Sequence, residues 1–184
     1  GTTAGTSGSI RIDALGATSN PSGTDRPFYF QSSEIKASSG SITINGTSRD
    51  TGGVSGSSYG ILLDGGAKIT GGSGAISLTG TGGKGTNVQG IVTTNNAAGG
   101  NVISSTSGTI SLTGNAGVGS TNVSGIDFVA GVNVTSTSGA ITLTGTGYGS
   151  GVGIKTESGG TINSGSGALT LIADTVSLGG TLDG

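Results

Sequence analysis

The sequence contains no cysteine, histidine, methionine or tryptophan. Without cysteine there is no disulfide framework and no thiolate metal site. Without histidine the usual base of a serine hydrolase triad is missing. Charged residues make up only 9% of the chain and aromatic residues 3%. The net charge of −2 leaves no basic field for nucleic acid or an anionic membrane surface. No apolar run approaches the roughly 18 residues of a spanning helix. Helical spacing of apolar residues is absent, and glycine recurs every few positions, which argues against helix throughout.

What is plentiful is small. Glycine accounts for 42 of the 184 residues, and serine and threonine are comparably common. Such a composition often marks a flexible linker, but Ile, Leu and Val recur here at regular offsets along the whole chain. Collagen is excluded, because glycine does not fall at every third place and only two prolines occur. The chain starts at Gly1 with neither Met nor a secretory signal, so it is expected to be a processed product or an internal piece of a longer protein.

The regular offsets define a repeat. A Ser-Gly pair places its glycine at Gly8, Gly40, Gly74, Gly108, Gly139 and Gly167. Periods of this size indicate stacked supersecondary units. Two residues after each glycine come Ile10, Ile42, Ile76, Ile110, Ile141 and Leu169; two further on come Ile12, Ile44, Leu78, Leu112, Leu143 and Leu171. Arg11, Thr43, Ser77, Ser111, Thr142 and Thr170 stand between them, giving the period-two pattern of a strand with one dry face. Five residues before the next glycine sit Ile35, Ile69, Ile103, Val134 and Ile162, in a second strand. A third lies midway, with Phe28, Ile61, Ile91, Ile126 and Ile154 inward and Phe30, Leu63, Thr93, Phe128 and Thr156 in the next inward layer. An antiparallel sandwich does not repeat one three-strand register in this way. The expected fold is therefore all-β: a parallel β-solenoid with three short strands per coil and five to six coils. It is a single segment over residues 1–184, with coils starting near 8, 40, 74, 108, 139 and 167. Glycine is expected at the corners because tight turns favour positive φ.

A segment of variable length lies between the first strand and the Gly-Ile strand of each coil, for example "GNAGVGSTNVS" in coil four and "GTGYGS" in coil five. Insertions confined to one place per coil form a ridge along one edge. Asp25, Arg26, Arg49, Asp50, Tyr59 and Tyr148 lie on this ridge and are the candidate contact residues.

Chemical motifs dissolve on inspection. "GSSYG" at 56–60 matches the G-x-S-x-G nucleophile elbow, but the chain has no histidine base. "GTGGKG" at 80–85 matches G-x-G-x-x-G, yet a strand pattern follows instead of a phosphate-binding helix. The nine carboxylates form no cluster in the alignment; only Asp127 and Lys155 fall on adjacent rungs of the middle strand and can pair. "GGSGAI" at 71–76 lacks the aspartate of calcium-binding nonapeptides. No metal, no cofactor and no catalytic residue is expected, and the chain reads as a non-enzyme. The three N-x-S/T sequons, at Asn45, Asn122 and Asn133, are expected by chance in so Asn-, Ser- and Thr-rich a chain. Outward rows Ser77, Ser111, Thr142, Thr170 and Thr79, Thr113, Thr144 stack into a hydroxyl grid like the Thr-x-Thr faces of ice-binding proteins. Arg11, Asp13, Asn45 and Ile172 interrupt it.

The phrases "SGSITINGT", "SGAISLTGTGG", "SGTISLTGNAG" and "SGAITLTGTG", followed by "GI" and a short "VxVTS"-like strand, resemble the repeats of filamentous haemagglutinin-like exoproteins. These are very large bacterial proteins secreted by two-partner or autotransporter routes. The likeness spans about residues 7–178 and is one of composition and period. It implies a right-handed β-helical shaft outside the cell, serving adhesion, biofilm cohesion or a surface coat. The expected role is a structural segment of an extracellular, cell-surface fibre or adhesin. Its expected partners are further copies of itself, end to end or laterally, and surface glycans or other cells. Carbohydrate binding on the ridge is the alternative, and ice binding through the hydroxyl grid a lesser one.

Overall fold

The computed structural model describes residues 7–18, 23–51, 56–94, 100–129 and 131–184, together with the backbone of 2–5. All regular structure among them is strand. A first strand, β1 (Thr2–Gly5), precedes six coils of three strands each. Coil one holds β2 (Ile10–Leu15), β3 (Phe28–Gln31) and β4 (Glu34–Ala37); coil two holds β5 (Ile42–Thr47), β6 (Ser57–Asp64) and β7 (Lys68–Gly71). Coil three holds β8 (Ile76–Thr81), β9 (Lys84–Thr93) and β10 (Val102–Ser105); coil four holds β11 (Ile110–Asn115), β12 (Val118–Phe128) and β13 (Asn133–Ser136). Coil five holds β14 (Ile141–Thr146), β15 (Val152–Thr156) and β16 (Thr161–Asn163), and coil six β17 (Leu169–Ala173), β18 (Val176–Leu178) and β19 (Thr181–Asp183).

Each strand pairs in parallel with its counterpart one coil away, which builds three sheets. We call them face I (β2 to β17), face II (β3 to β18) and face III (β1 to β19), with six, six and seven strands. Seven rungs about 4.8 Å apart span roughly 29 Å. The fold is the expected β-solenoid, with β1 and β19 as further rungs on face III.

The sequence alignment and the strand register coincide. On face I, Ile42, Ile76, Ile110, Ile141 and Leu169 are successive partners, and so are Ile44, Leu78, Leu112, Leu143 and Leu171. On face II the row runs Phe28, Ile61, Ile91, Ile126, Ile154, Val176. On face III it runs Ile35, Ile69, Ile103, Val134, Ile162, Leu182. The interior members of these rows form one continuous buried cluster. Each buried aliphatic side chain contributes about 1.5–3 kcal/mol relative to exposure. Two threonines enter the inner layer with partners: Thr93 donates to the Val129 carbonyl (3.4 Å), and the Thr156 hydroxyl accepts from the Gly179 N–H (3.2 Å).

The repeated glycines answer to stacking rather than to positive φ. None of the Ser-Gly glycines lies in the left-handed region; that conformation occurs elsewhere, at Gly65, Gly66, Gly100, Gly131, Gly149, Gly159 and Gly165. A Cβ placed on Gly40, Gly74, Gly108, Gly139 or Gly167 would instead overlap the carbonyl of the equivalent glycine one coil earlier. The corner is a column of backbones packed too closely for any side chain.

Candidate functional site

A second set of glycines builds the ridge. Gly46 faces Gly60, Gly80 faces Gly90, Gly114 faces Gly125 and Gly145 faces Gly153; a Cβ on the first of each pair would overlap the carbonyl of the second. At these necks the chain leaves face I, runs outward, and re-enters at face II. The "TG" and "GI" dipeptides of the repeat are the two sides of the neck. Beyond it the ridge is partly strand, because β6, β9 and β12 extend out from face II and pair with each other. Residues 19–22 and 52–55 of the ridge lie outside the described residues.

The six ridge candidates do not converge. Arg26 lies between two rings, its Cζ 5.4 Å from the Tyr29 centroid and 5.9 Å from that of Tyr59. Asp25 and Asp50 are buried, so neither offers a carboxylate to an outside ligand. Arg49 is exposed and donates to the Gly16 carbonyl (3.0 Å). Tyr148 belongs to coil five, three rungs from Tyr59, or about 14 Å at the sheet spacing.

The two motif candidates are structural. Ser58 of the elbow-like "GSSYG" is fully buried on β6. Its Oγ accepts from the Gly83 N–H (2.8 Å) and lies 2.6 Å from Ser48 Oγ, and Ser48 Oγ donates to Asp25 Oδ2 (2.5 Å). Since the Ser48 proton goes to the carboxylate, Ser58 donates to Ser48. The chain Gly83, Ser58, Ser48, Asp25 thus satisfies three buried side chains and ties coils one to three together. Lys84 of "GTGGKG" opens strand β9, so no helix N-terminus is there to hold a phosphate.

One concave site stands out among the described residues. The ridge of coil four is long and that of coil five short: residues 118–123 of β12 pair with β9, whereas β15 begins opposite Ser124. The step between them is a cleft of about 420 Å³. Its rim carries Asn122, which adopts φ 44° where the β9–β12 register slips by one residue. Bulges of this kind re-aim side chains beside sites. Asn122 donates to Asn87 Oδ1 (3.2 Å) and accepts from Gln89 Nε2 (2.9 Å) through its carbonyl. Tyr148, 47% exposed, also lines the cleft, on the turn that Gly151 N–H closes onto the Tyr148 carbonyl (2.9 Å).

Asp127 and Lys155 also line this cleft. They are register partners on β12 and β15, as the alignment anticipated. Lys155 Nζ lies 3.6 Å from Asp127 Oδ1 and donates to Glu157 Oε1 at 2.9 Å. The pair is no surface pair, however: the Asp127 side chain retains only 6% of its accessibility. Leu62 and Val92, the register partners that continue the same row, are buried too. Asp127 Oδ1 is sealed without a hydrogen-bond partner, as is Gln89 Oε1. Burial pushes the Asp127 carboxyl above the usual carboxylate range; Lys155 opposes this and Glu157 adds to it. Its hydrogen bond to Glu157 holds the Lys155 ammonium above its ordinary value, so the amine stays protonated and is no nucleophile. The groups of the cleft open to solvent are the Lys155 ammonium, its side chain 33% exposed, and Tyr148; the Asp127 carboxylate is enclosed. The signal for the cleft in the sequence is the drop in ridge length from coil four to coil five. The contributions of Asn122 and Glu157 carry no such signal. No group of three or more metal-ligating side chains occurs among the described residues.

No protein-family model, no curated protein and no solved structure matches this chain.

Proposed function

We propose that this chain is a non-enzymatic structural segment of an extracellular bacterial surface fibre or adhesin. The observation that carries the reading is the continuity of the inward rows on the three faces, each coil presenting the same aliphatic positions to the next. Its mechanism is geometric: a stack of hydrogen-bonded rungs resists bending and leaves few local openings for a protease. The terminal coils support association along the axis. Val176 and Leu178 belong to the inward rows of face II yet are 43% and 46% exposed, and Ile172 is 54% exposed. Unpaired strand edges with apolar side chains are templates for further strands. Continuing coils, or a second copy seated end to end, cover them in this reading. The test is electron microscopy of the native cell surface with antibody to this chain, alongside sedimentation of the purified chain at rising concentration. Labelled filaments and concentration-dependent assembly are expected. A chain that stays monomeric at high concentration and labels no filament overturns the reading.

A second reading attaches to the hydroxyl face. Thr43, Ser77, Ser111, Thr142 and Thr170 are consecutive partners on face I, beside Thr79, Thr113 and Thr144 and a third column of Thr47, Thr81, Asn115 and Thr146. Thermal hysteresis in solutions of the chain would support ice binding there, and its absence removes that reading.

A further inference from the structure

The ridge of coil four ends in a free strand edge. Val118–Thr121 of β12 pair with β9 on one side, but on the coil-five side β15 starts only opposite Ser124. The main-chain groups of these four residues that face coil five thus have no strand partner among the described residues. Exposed edges of native sheets are as a rule blunted by charge, proline, a bulge or a cover. Val118, Gly119, Ser120 and Thr121 carry neither charge nor proline, and all but Gly119 are exposed. The bulge at Asn122 comes only after them and ends the straight stretch. Instead of a cover, the cleft of about 420 Å³ lies against this edge, lined by residues 119–124 of β12 and 148–152 of coil five. Four residues of strand are about 13 Å long, enough to hold a short extended segment.

We propose that this edge binds an extended peptide from another protein, added beside β12 as one further parallel strand. The inference does not rest on the fibre reading and survives its failure. The added strand takes up the pairing where β15 leaves it, so it extends a ladder that already exists. In strand addition the main-chain hydrogen bonds supply affinity, and alternate side chains supply selectivity. A Cβ on Gly119 would meet Val123 and Val88, so this position faces the ridge interior and Val118 faces outward. The peptide residue opposite Gly119 therefore meets Val123 and is aliphatic. The residue opposite Val118 lies outside, beside a trough that Val118 shares with two exposed cations, Arg49 and Lys84. Lys84 is the register partner of Val118, and the carboxylate of the same trough, Asp50, is buried. Charge complementarity makes that peptide residue acidic.

The experiment is an amide NMR titration of the isotope-labelled chain with the synthetic peptide acetyl-SEVTVS-amide. Saturable shifts are expected at the amides of Gly119, Ser120 and Thr121. Two forms of the peptide, N-methylated at alternate residues in opposite phase, separate strand pairing from mere adhesion. The form whose N–H groups would face β12 should bind about 10-fold more weakly or worse, through loss of its ladder hydrogen bonds, and the other should bind as the parent peptide does. Lysine in place of the peptide's glutamate should weaken binding about 3-fold, the scale of an exposed charge pair. Lys84→Glu in the chain should abolish or reverse that preference. Lys84 is exposed, and an unchanged amide spectrum away from the ridge verifies that the variant folds. Four results overturn the proposal. The first is no saturable shift at residues 119–121, and the second is equal binding by the two N-methylated forms. The third is a preference for the lysine peptide, or one for glutamate that Lys84→Glu leaves intact. The fourth is shifts that follow the concentration of the chain instead of the peptide, which would make a second copy the occupant.

Discussion

Replacing Gly108 by alanine tests the packing argument at its tightest point. A Cβ there would overlap the Gly74 carbonyl, with even the carbonyl carbon only 2.6 Å away, whereas ordinary contact begins at 3.4 Å. The neighbour is backbone and cannot rotate aside. Relief requires the two coils to separate where Ile76 N–H donates to the Thr109 carbonyl (2.8 Å) and Gly108 N–H to the Gly72 carbonyl (3.2 Å). Overpacking against a fixed neighbour costs about 3 kcal/mol. In a chain of this length that lowers Tm by roughly 6–12 °C. The same substitution at Gly8 is the internal control, since the motif is identical but no atom lies within 4 Å of the added Cβ and φ is not positive. Gly8→Ala should therefore cost nothing and stabilise by about 0.4–1 kcal/mol, because alanine restricts the unfolded chain. Calorimetric melts of the two variants against the parent decide the matter. If Gly108→Ala melts with the parent, or if both variants fall equally, close coil stacking is not why the Ser-Gly glycine recurs.

Three further outcomes follow from the same structure. Leu112→Ala empties a fully buried place in the face I row and should lose about 2–5 kcal/mol in urea unfolding, while Ser111→Ala on the outer side of the same strand should stay within about 0.5 kcal/mol. Asp127 has a raised folded-state pKa, so the folded chain binds its proton more tightly than the unfolded chain, and stability contributed by that proton falls as pH rises above the ordinary carboxylate value near 3.8. Asp127→Asn should remove this slope, melting above the parent at pH 7 and converging with it below about pH 4, as thermal melts across pH would record. Ser48→Ala deprives buried Asp25 of its donor and Ser58 of its acceptor and should cost about 1–3 kcal/mol, and Ser58, having no exposure, should resist labelling by a fluorophosphonate in the folded parent chain.

The inward rows were legible because a parallel stack places each residue on its equivalent one coil later. Ile76, Ile110 and Ile141 share one environment, and the sequence repeats what that environment accepts. The glycines were equally visible, but their cause was not. A positive φ is a local property and the natural guess from a Gly-rich corner; the overlap of Gly108 with Gly74 depends on a backbone 34 positions away. The ridge was legible in its place and lengths only. Asp25 and Asp50 are polar and lie in a variable segment, which argues for exposure, yet the buried serines of coil two draw Asp25 inward.

The sequence alone determined the coil, its three strands and their register, because period-two alternation and a repeat near 32 residues leave one way to bury so many branched side chains. Only the tertiary structure decided which outward residues are dry. Asp127 occupies an outward place on its strand, yet it is buried together with its row neighbours Leu62 and Val92, a property of the stacked coils that no single repeat encodes.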